Sequence, residues 1–203
     1  MNEKIQNVET KGNIADSLTE EFQTVEILLK SPFKTGRTDA FIVAWVKREK
    51  QVRRIFTYLI YQFPSFSKKN VTDITNIIAS KQNLYLKNFI KGFNALYPKT
   101  FKEIIGSEFD RLEAELNEIR KYRNKILHGQ LTGQSLNSDQ LTNKIHTIQE
   151  WCSLVAMKMS KEIGFDGFAR NSFRKYKQKQ LADSYKHQIA DLKALNCFIE
   201  TYM

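Results

Sequence analysis

The chain has 203 residues, of which 41% are hydrophobic, enough for one hydrophobic core and an appended subdomain. Its two cysteines are isolated, which excludes a disulfide framework and a cysteine-rich zinc site. No apolar run is long enough to cross a membrane, and the N-terminus is too polar and acidic for a signal peptide, so we expect a cytoplasmic protein. The formal net charge of +10 favours a polyanionic partner.

Nearly every segment has the apolar spacing of a helix, and there is no strand–turn–strand pattern. The first seventeen residues are polar and are expected to form a loose N-terminal tail. Proline, glycine and capping residues then delimit five predicted helices, at about residues 18–30, 38–62, 70–79, 82–96 and 107–128. The sequence therefore predicts an all-α helical bundle.

Two further helices are predicted in the last third of the chain. Thr132–Asn137 is rich in turn residues, and Ser138 can cap a helix that reaches about Ile163. After the break at residues 164–167, apolar residues at helical spacing predict a final helix over residues 174–202. The predicted organisation is a tail (1–17), a bundle (18–164) and a basic C-terminal helical extension (165–203) that packs on the bundle.

The fifth predicted helix carries the motif Arg123-Asn124-Lys125-Ile126-Leu127-His128, followed by Gly129. At about 100° per residue, its apolar side chains form one stripe, and Arg123 lies near the centre of that stripe. Asn124 and His128 lie one turn apart on the adjoining flank, and Gly129 ends the helix. A guanidinium in an apolar stripe is costly without a partner, so this combination indicates a site. The structural alternative is a His favoured by the helix dipole and an Arg that reaches solvent.

An Arg-Asn-x-x-x-His-Gly run late on a helix of an all-helical chain resembles the signature of HEPN domains. These are short helical bundles, many of which are RNases of toxin–antitoxin, phage-defence and CRISPR systems. The resemblance covers about Thr38 to Gly164 and implies that Arg123, Asn124 and His128 are the catalytic residues. It also implies a homodimer, because HEPN domains commonly pair so that two motifs face one composite cleft.

The residues of the motif suit RNA cleavage without a metal or another cofactor. RNA supplies its own nucleophile, the 2′-OH, and a histidine with an ordinary pKa near 6.5 can take its proton or give one to the leaving 5′-oxygen. Arg123 can hold the scissile phosphate, and Asn124 can orient the phosphate or His128. The products are then a 2′,3′-cyclic phosphate and a 5′-hydroxyl. Acid–base cleavage uses two proton-transfer groups, which two copies of His128 in a homodimer would supply.

The long helix over residues 38–62 holds a second polar feature. Arg48 and Glu49 both lie at the edges of its apolar arc. They can form a structural pair in which the carboxylate offsets the guanidinium. Alternatively, Glu49 pairs with Arg123 across the bundle and fixes the orientation of its side chain.

Basic residues occur in three groups, on the long helix, around the motif and after Gly167. Beside the motif are Arg120, Lys121 and Lys125, and the third group includes Arg170, Arg174 and Lys175, interleaved with aromatic residues. Charge runs are usually solvated faces, but cations and flat rings are also what single-stranded RNA requires. We therefore expect Arg120, Lys121, Arg170, Arg174 and Lys175 to bind RNA, and Lys125 to support the motif.

Three hypotheses follow from the sequence. The first is a metal-independent endoribonuclease, a toxin or phage-defence effector that an antitoxin or another regulatory protein silences. The second is a helical module that binds RNA or a nucleotide without cleaving it. The third is a regulatory module whose motif organises a dimer interface.

Overall fold

The computed structural model describes residues 2–130, 138–169, 171–176 and 181–203, with residues 2–15 and Ser138 described as helical backbone only. These residues contain eight α-helices and no strand, which confirms the all-α prediction. None of the described helices is long and apolar enough to cross a membrane. The helices are α1 (Asn2–Leu29), α2 (Gly36–Tyr61), α3 (Val71–Ser80), α4 (Leu86–Leu96), α5 (Phe101–Ile105), α6 (Glu108–Leu127), α7 (Ser138–Ile163) and α8 (Leu192–Tyr202).

The chain forms two compact units. The first unit consists of Met1–Arg48 and Ile105–Met157, and the second of Glu49–Ile104 and Lys158–Met203. Helices α2 and α7 therefore contribute residues to both units. The predicted division into tail, bundle and extension uses other boundaries and stays a prediction.

The core of the first unit combines aliphatic side chains with phenylalanines and two tryptophans. The apolar faces of α1, α2, α6 and α7 recur at helical spacing, so each helix buries one stripe. A fully buried side chain of this size contributes about 1.5–3 kcal/mol to stability. The core residues include Phe22, Val25, Phe41, Trp45, Leu112, Leu116, Ile119, Ile145, Ile148, Trp151 and Val155.

The second unit has an aromatic core. The rings of Tyr58 and Phe165 are stacked with their centroids 4.7 Å apart, and those of Phe63 and Tyr185 meet edge to face at 5.2 Å. Such ring pairs add about 0.5–1.5 kcal/mol to the effect of burial. Burial also raises the pKa of Tyr58 to about 12, so its hydroxyl stays protonated in this core.

The segment after α7 is fastened to the C-terminal end of α2 by polar side chains. The Gln62 side-chain amide donates to the Arg174 carbonyl at 2.9 Å and its oxygen accepts from the Tyr176 N–H at 2.8 Å. Lys175 Nζ donates to the carbonyls of Tyr61 and Phe63. The last carbonyls of a helix have no N–H partner within the helix, so the ammonium supplies their hydrogen bonds. The negative end of the helix dipole also stabilises its positive charge.

The final helix is shorter than predicted. Helix α8 begins at Leu192, where the Asp191 carboxylate accepts from the Ala194 N–H at 2.8 Å, and a 3₁₀ turn at Leu181–Ser184 precedes it. The backbone N–H of Lys186 donates to the distant Leu96 carbonyl at 2.9 Å, which a helix across this position would prevent. The prediction of a helix over residues 174–202 is therefore wrong for residues 174–176 and 181–191, and residues 177–180 lie outside the described residues.

Two other elements differ from the prediction. Helix α1 begins at Asn2, whereas the sequence predicts a loose tail before residue 18. The sequence reading also missed α5, which a capping box starts: Glu103 accepts from the Thr100 N–H at 2.6 Å, and Thr100 Oγ1 accepts from the Glu103 N–H at 3.2 Å. Accepting the Thr100 N–H lowers the pKa of Glu103. The predicted loop Thr132–Asn137 lies outside the described residues.

The Gln62→Ala substitution is expected to lower the free energy of unfolding by about 2 kcal/mol, because it leaves the Arg174 carbonyl and the Tyr176 N–H without their side-chain partner. Urea denaturation measures the change. Gln82→Ala is the matched control, since Gln82 is exposed in a turn of the same unit. Equal effects of the two substitutions would contradict the role given to Gln62.

Candidate active site

The motif lies at the C-terminal end of α6, and two backbone hydrogen bonds fix where that helix stops. The N–H of Gly129 donates to the Ile126 carbonyl at 3.1 Å, and that of Gln130 to the Lys125 carbonyl at 2.8 Å. This pair of bonds is a Schellman motif, which needs a left-handed residue after the last helical turn. Gly129 supplies it with φ of +62°, so His128 is the last residue before the chain leaves the helix.

The three motif side chains differ in exposure. Asn124 and His128 are exposed and lie one turn apart, whereas Arg123 is half-buried. Arg123 Nη1 donates to Asn124 Oδ1 at 2.9 Å, so the amide orients the guanidinium. An obligate cation, an amide and a titratable ring are therefore presented together at one helix end.

The stripe that was expected to continue past Arg123 does not remain buried. Leu112, Leu116 and Ile119 are in the core, but Ile126 is half-buried and Leu127 is 52% exposed. Helix α6 thus leaves the core over its last turn. Leu127 therefore does not pack with the buried part of the stripe within this chain.

Arg123 lies against Trp45 of α2, with its guanidinium carbon 5.9 Å from the ring centroid. The guanidinium of Arg48 contacts the same ring at 5.1 Å and the Trp151 ring at 4.4 Å. Arg48 is only 3% exposed, and its Nη2 donates to the carboxylate of Glu113 on α6. A buried guanidinium paired in this way holds the two helices and the Trp45 ring in one arrangement.

Charge is distributed unevenly along α6. Its first three turns carry the acidic residues Glu108, Asp110, Glu113, Glu115 and Glu118, and its last two turns carry Arg120, Lys121, Arg123 and Lys125. This order opposes the helix dipole at both ends and stabilises the helix. It also concentrates positive charge around Asn124 and His128.

The other predicted site residues have varied surroundings. Arg120 and Lys121 are exposed, with Lys121 paired to Glu118 at 2.6 Å, and Lys125 is half-buried. Arg170 lies outside the described residues. The pairing of Glu49 with Arg48 or with Arg123 stays a prediction, whereas Glu113 is a carboxylate partner that the sequence analysis did not identify.

Arg174 and Lys175 have structural partners in the second unit. Arg174 Nη2 donates to the Gly164 carbonyl at 2.9 Å, and Lys175 bonds the end of α2 as described above. Burial lowers the pKa of Lys175, since desolvation disfavours the ammonium. These contacts show both cations bound to backbone carbonyls, and their predicted role in RNA binding stays a prediction.

The buried thiol of Cys152 and the possible metal ligands are the other groups to consider for catalysis. Cys152 is fully buried on α7, and burial raises the pKa of its thiol, so it is a core residue and not a nucleophile. Within the described ranges, no three His, Cys, Asp or Glu side chains are grouped where they could hold a metal ion.

An all-α chain with Arg, Asn and His at the exposed end of a core helix has the features of a HEPN domain. The model of the RiboL-PSP-HEPN family matches residues 9–160, so the chain belongs to this HEPN family. HEPN domains are generally ribonuclease-like, and this membership gives the chain a ribonuclease-like domain. No curated protein and no solved structure gives a significant match.

Sequence reasoning did not find Glu113 or the role of Trp45. Glu113 follows Leu112 at the edge of the α6 stripe, and Trp45 was assigned to an apolar arc like any other core residue. Neither position has a local signal, because their roles depend on which helices touch. The one indication in the sequence was that Arg48, at the edge of an apolar arc, needs a carboxylate partner. It did not show which carboxylate that is.

Glu113→Gln is expected to lower the free energy of unfolding by about 2 kcal/mol, because the buried guanidinium of Arg48 then lacks a charged partner. Glu115→Gln is the control on the same helix, since Glu115 is exposed and its ion pair with Arg111 is screened by solvent and contributes little to stability. Thermal unfolding of both variants tests this. A smaller loss for Glu113→Gln than for Glu115→Gln would refute the assignment.

Proposed function

We propose that this chain is a metal-independent endoribonuclease that cleaves RNA through attack of the 2′-OH. The observation that carries the proposal is the presentation of Arg123, Asn124 and His128 at the exposed end of α6 in a member of a HEPN family. The products are a 2′,3′-cyclic phosphate and a 5′-hydroxyl. DNA lacks the attacking hydroxyl and resists.

His128 is the proton-transfer group in this proposal. Its exposure allows contact with a substrate, and its place after the last helical turn leaves the ring next to the chain reversal at Gly129. As a base it accepts the proton of the 2′-OH, and as an acid it protonates the leaving 5′-oxygen. Each step moves one proton, so one histidine is needed on either side of the scissile phosphate.

Arg123 stabilises the phosphate as negative charge develops on its oxygens. The planar guanidinium binds two phosphate oxygens at once, which lysine cannot do. The Asn124 carbonyl and the Trp45 ring hold the guanidinium before the substrate arrives, so less conformational entropy is lost on binding. The amide N–H groups of Asn124 remain as donors to the phosphate.

The second histidine comes from a second copy of the chain. A two-fold axis places identical surfaces face to face, so a motif at an exposed helix end can meet its own copy. Leu127 supports this arrangement, since a leucine that is 52% exposed next to His128 would be buried by a partner. The composite cleft then contains Arg123 and His128 from both subunits.

Such an enzyme damages cellular RNA unless it is controlled. We therefore propose that it is a toxin or a phage-defence effector in the cytoplasm, silenced by an antitoxin or another regulatory protein. The positive end of α6 offers a negatively charged partner a direct way to cover the motif.

His128→Ala is expected to reduce cleavage of a 5′-labelled structured RNA, assayed in EDTA, by at least about 100-fold. His146→Ala is the matched control, an exposed histidine on α7 of the same unit, and retains cleavage. Gel analysis identifies the cyclic phosphate ends, and Arg123→Lys separates the guanidinium geometry from its charge. Binding without cleavage by the unsubstituted protein would instead favour a non-catalytic RNA-binding module.

Leu127→Glu is expected to convert the dimer to a monomer and to abolish cleavage, since it places a charge in the proposed interface. Light scattering after size-exclusion chromatography measures the mass. Phe33→Glu is the control, because Phe33 is 75% exposed and lies before the start of α2, whose first residue is about 14 Å along the helix axis from Trp45. A monomeric unsubstituted protein that cleaves RNA would overturn the composite site.

A further inference from the structure

The net positive charge of the chain is confined to one unit. The second unit has 19 Lys and Arg residues against 8 Asp and Glu, whereas the first has 13 against 14. Even without Arg170, Lys177 and Lys179, which lie outside the described residues, the second unit has an excess of eight positive charges. The unit that lacks the motif is therefore the one that attracts a polyanion.

The cations of the second unit fall into two classes. Arg54, Arg174 and Lys175 donate to backbone carbonyls, and Lys81 and Lys99 pair with carboxylates. Lys87 and Lys91, in contrast, are exposed, and the described part of the chain offers them no ion-pair partner. They are available to a ligand.

Lys87 and Lys91 lie on the outer face of α4. One turn separates them, and they point away from the side on which Phe89, Phe93 and Leu96 are buried. Two ammonium groups one turn apart on one helix face repel each other. A bound phosphate backbone removes that repulsion.

The C-terminal turn of α8 packs beside this face. The side-chain amide of Asn88 on α4 donates to the Met203 carbonyl. The Met203 side chain also covers Gly92, where an added Cβ would lie 2.8 Å from its sulfur. Tyr202, the last residue of α8, directly precedes Met203 in the chain.

Exposed rings accompany the lysines. Tyr202 is 38% exposed, and its ring lies 4.7 Å from that of His187, while Tyr85 at the start of α4 is 60% exposed. Flat rings beside cations bind single-stranded nucleic acid, because bases stack on the rings while the cations contact phosphates. The acidic side chain at this place, Glu200, is paired with Lys81.

We propose that Tyr85, Lys87, Lys91, His187 and Tyr202, here named the α4–α8 surface, bind a single strand of RNA. This proposal rests on the proposed function, because the strand bound here is taken to be the RNA that the endoribonuclease cleaves. Neither ammonium groups nor aromatic rings read the 2′-OH, so single-stranded DNA binds with similar affinity but is not cleaved. The surface lies within residues 85–203 and includes α8, which the family match does not cover.

Fluorescence anisotropy of a labelled, unstructured 20-nucleotide RNA tests the lysines, with full-length His128→Ala protein as the parent. Replacing both Lys87 and Lys91 by Gln is expected to weaken binding about tenfold near 0.1 M salt. It also reduces the slope of log K against log salt by about 1.4, which is 0.7 for each lost phosphate contact. The control, Lys30→Gln with Lys34→Gln, makes the same charge change at exposed positions of the first unit and leaves affinity within about twofold.

The stacking contribution has its own pair of variants. Tyr202→Leu is expected to weaken binding at least about fivefold, whereas Tyr202→Phe retains it, because stacking on an aromatic ring is worth about 1–3 kcal/mol per base. Circular dichroism checks that both variants are folded. Equal affinity of the two variants would show that the ring does not stack on a base.

Four results would overturn the α4–α8 surface. One is that the parent protein fails to bind RNA, and another is that the two lysine pairs lose affinity equally when replaced. The other two are that duplex RNA binds more tightly than the single strand, and that affinity falls only on Arg123→Gln. The cleavage assay separates this proposal from the proposed function. Cleavage that persists with normal KM in the Lys87/Lys91 variant rejects the surface alone. Binding that follows the expected pattern in a chain that never cleaves rejects the endoribonuclease alone.

Discussion

The first unit depends on a buried cation. Arg48 is almost entirely removed from water, which costs several kcal/mol unless its charge is offset. Glu113 supplies the opposite charge, and the faces of Trp45 and Trp151 supply cation–π contacts. Because these partners come from α2, α6 and α7, the charge of the guanidinium is offset only when the three helices have the observed register. The same requirement determines where α6 carries its last turn.

Trp45 connects this core to the motif, since its ring contacts the guanidiniums of both Arg48 and Arg123. Two cations at one ring repel each other, but Glu113 neutralises Arg48. Arg123 also donates to Asn124 Oδ1, so its guanidinium is held between the ring and the amide. A leucine at position 123 would fill the same place in the stripe but could not make this hydrogen bond. This arrangement supports the proposed role of the motif as a phosphate site.

Local sequence patterns predicted those segments in which the backbone hydrogen bonds are made within the segment itself, as in an α-helix. The extents of α2, α6 and α7 follow from apolar spacing, proline, glycine and caps, and the place of Arg123 within the α6 stripe followed from the same geometry. The pattern failed where hydrogen bonds are long-range. Leu181 and Tyr185 have the burial that their spacing implies, but the Lys186 N–H bonds to Leu96, so the segment is not a helix. Glu113 could not be identified for the same reason, since no local pattern encodes contacts between helices.

Separate environments explain why neighbouring cations in the second unit have different roles. Lys175 is partly desolvated, and its ammonium completes the hydrogen bonds of the α2 terminus, so moving it to a ligand would leave the Tyr61 and Phe63 carbonyls without this donor. Lys87 and Lys91 lose no intramolecular bond when they contact a phosphate. The proposed binding at these two residues would therefore release counterions without a compensating structural loss. The proposal favours the α4 face for this reason, because its two lysines are exposed and form no ion pair within the described part of the chain.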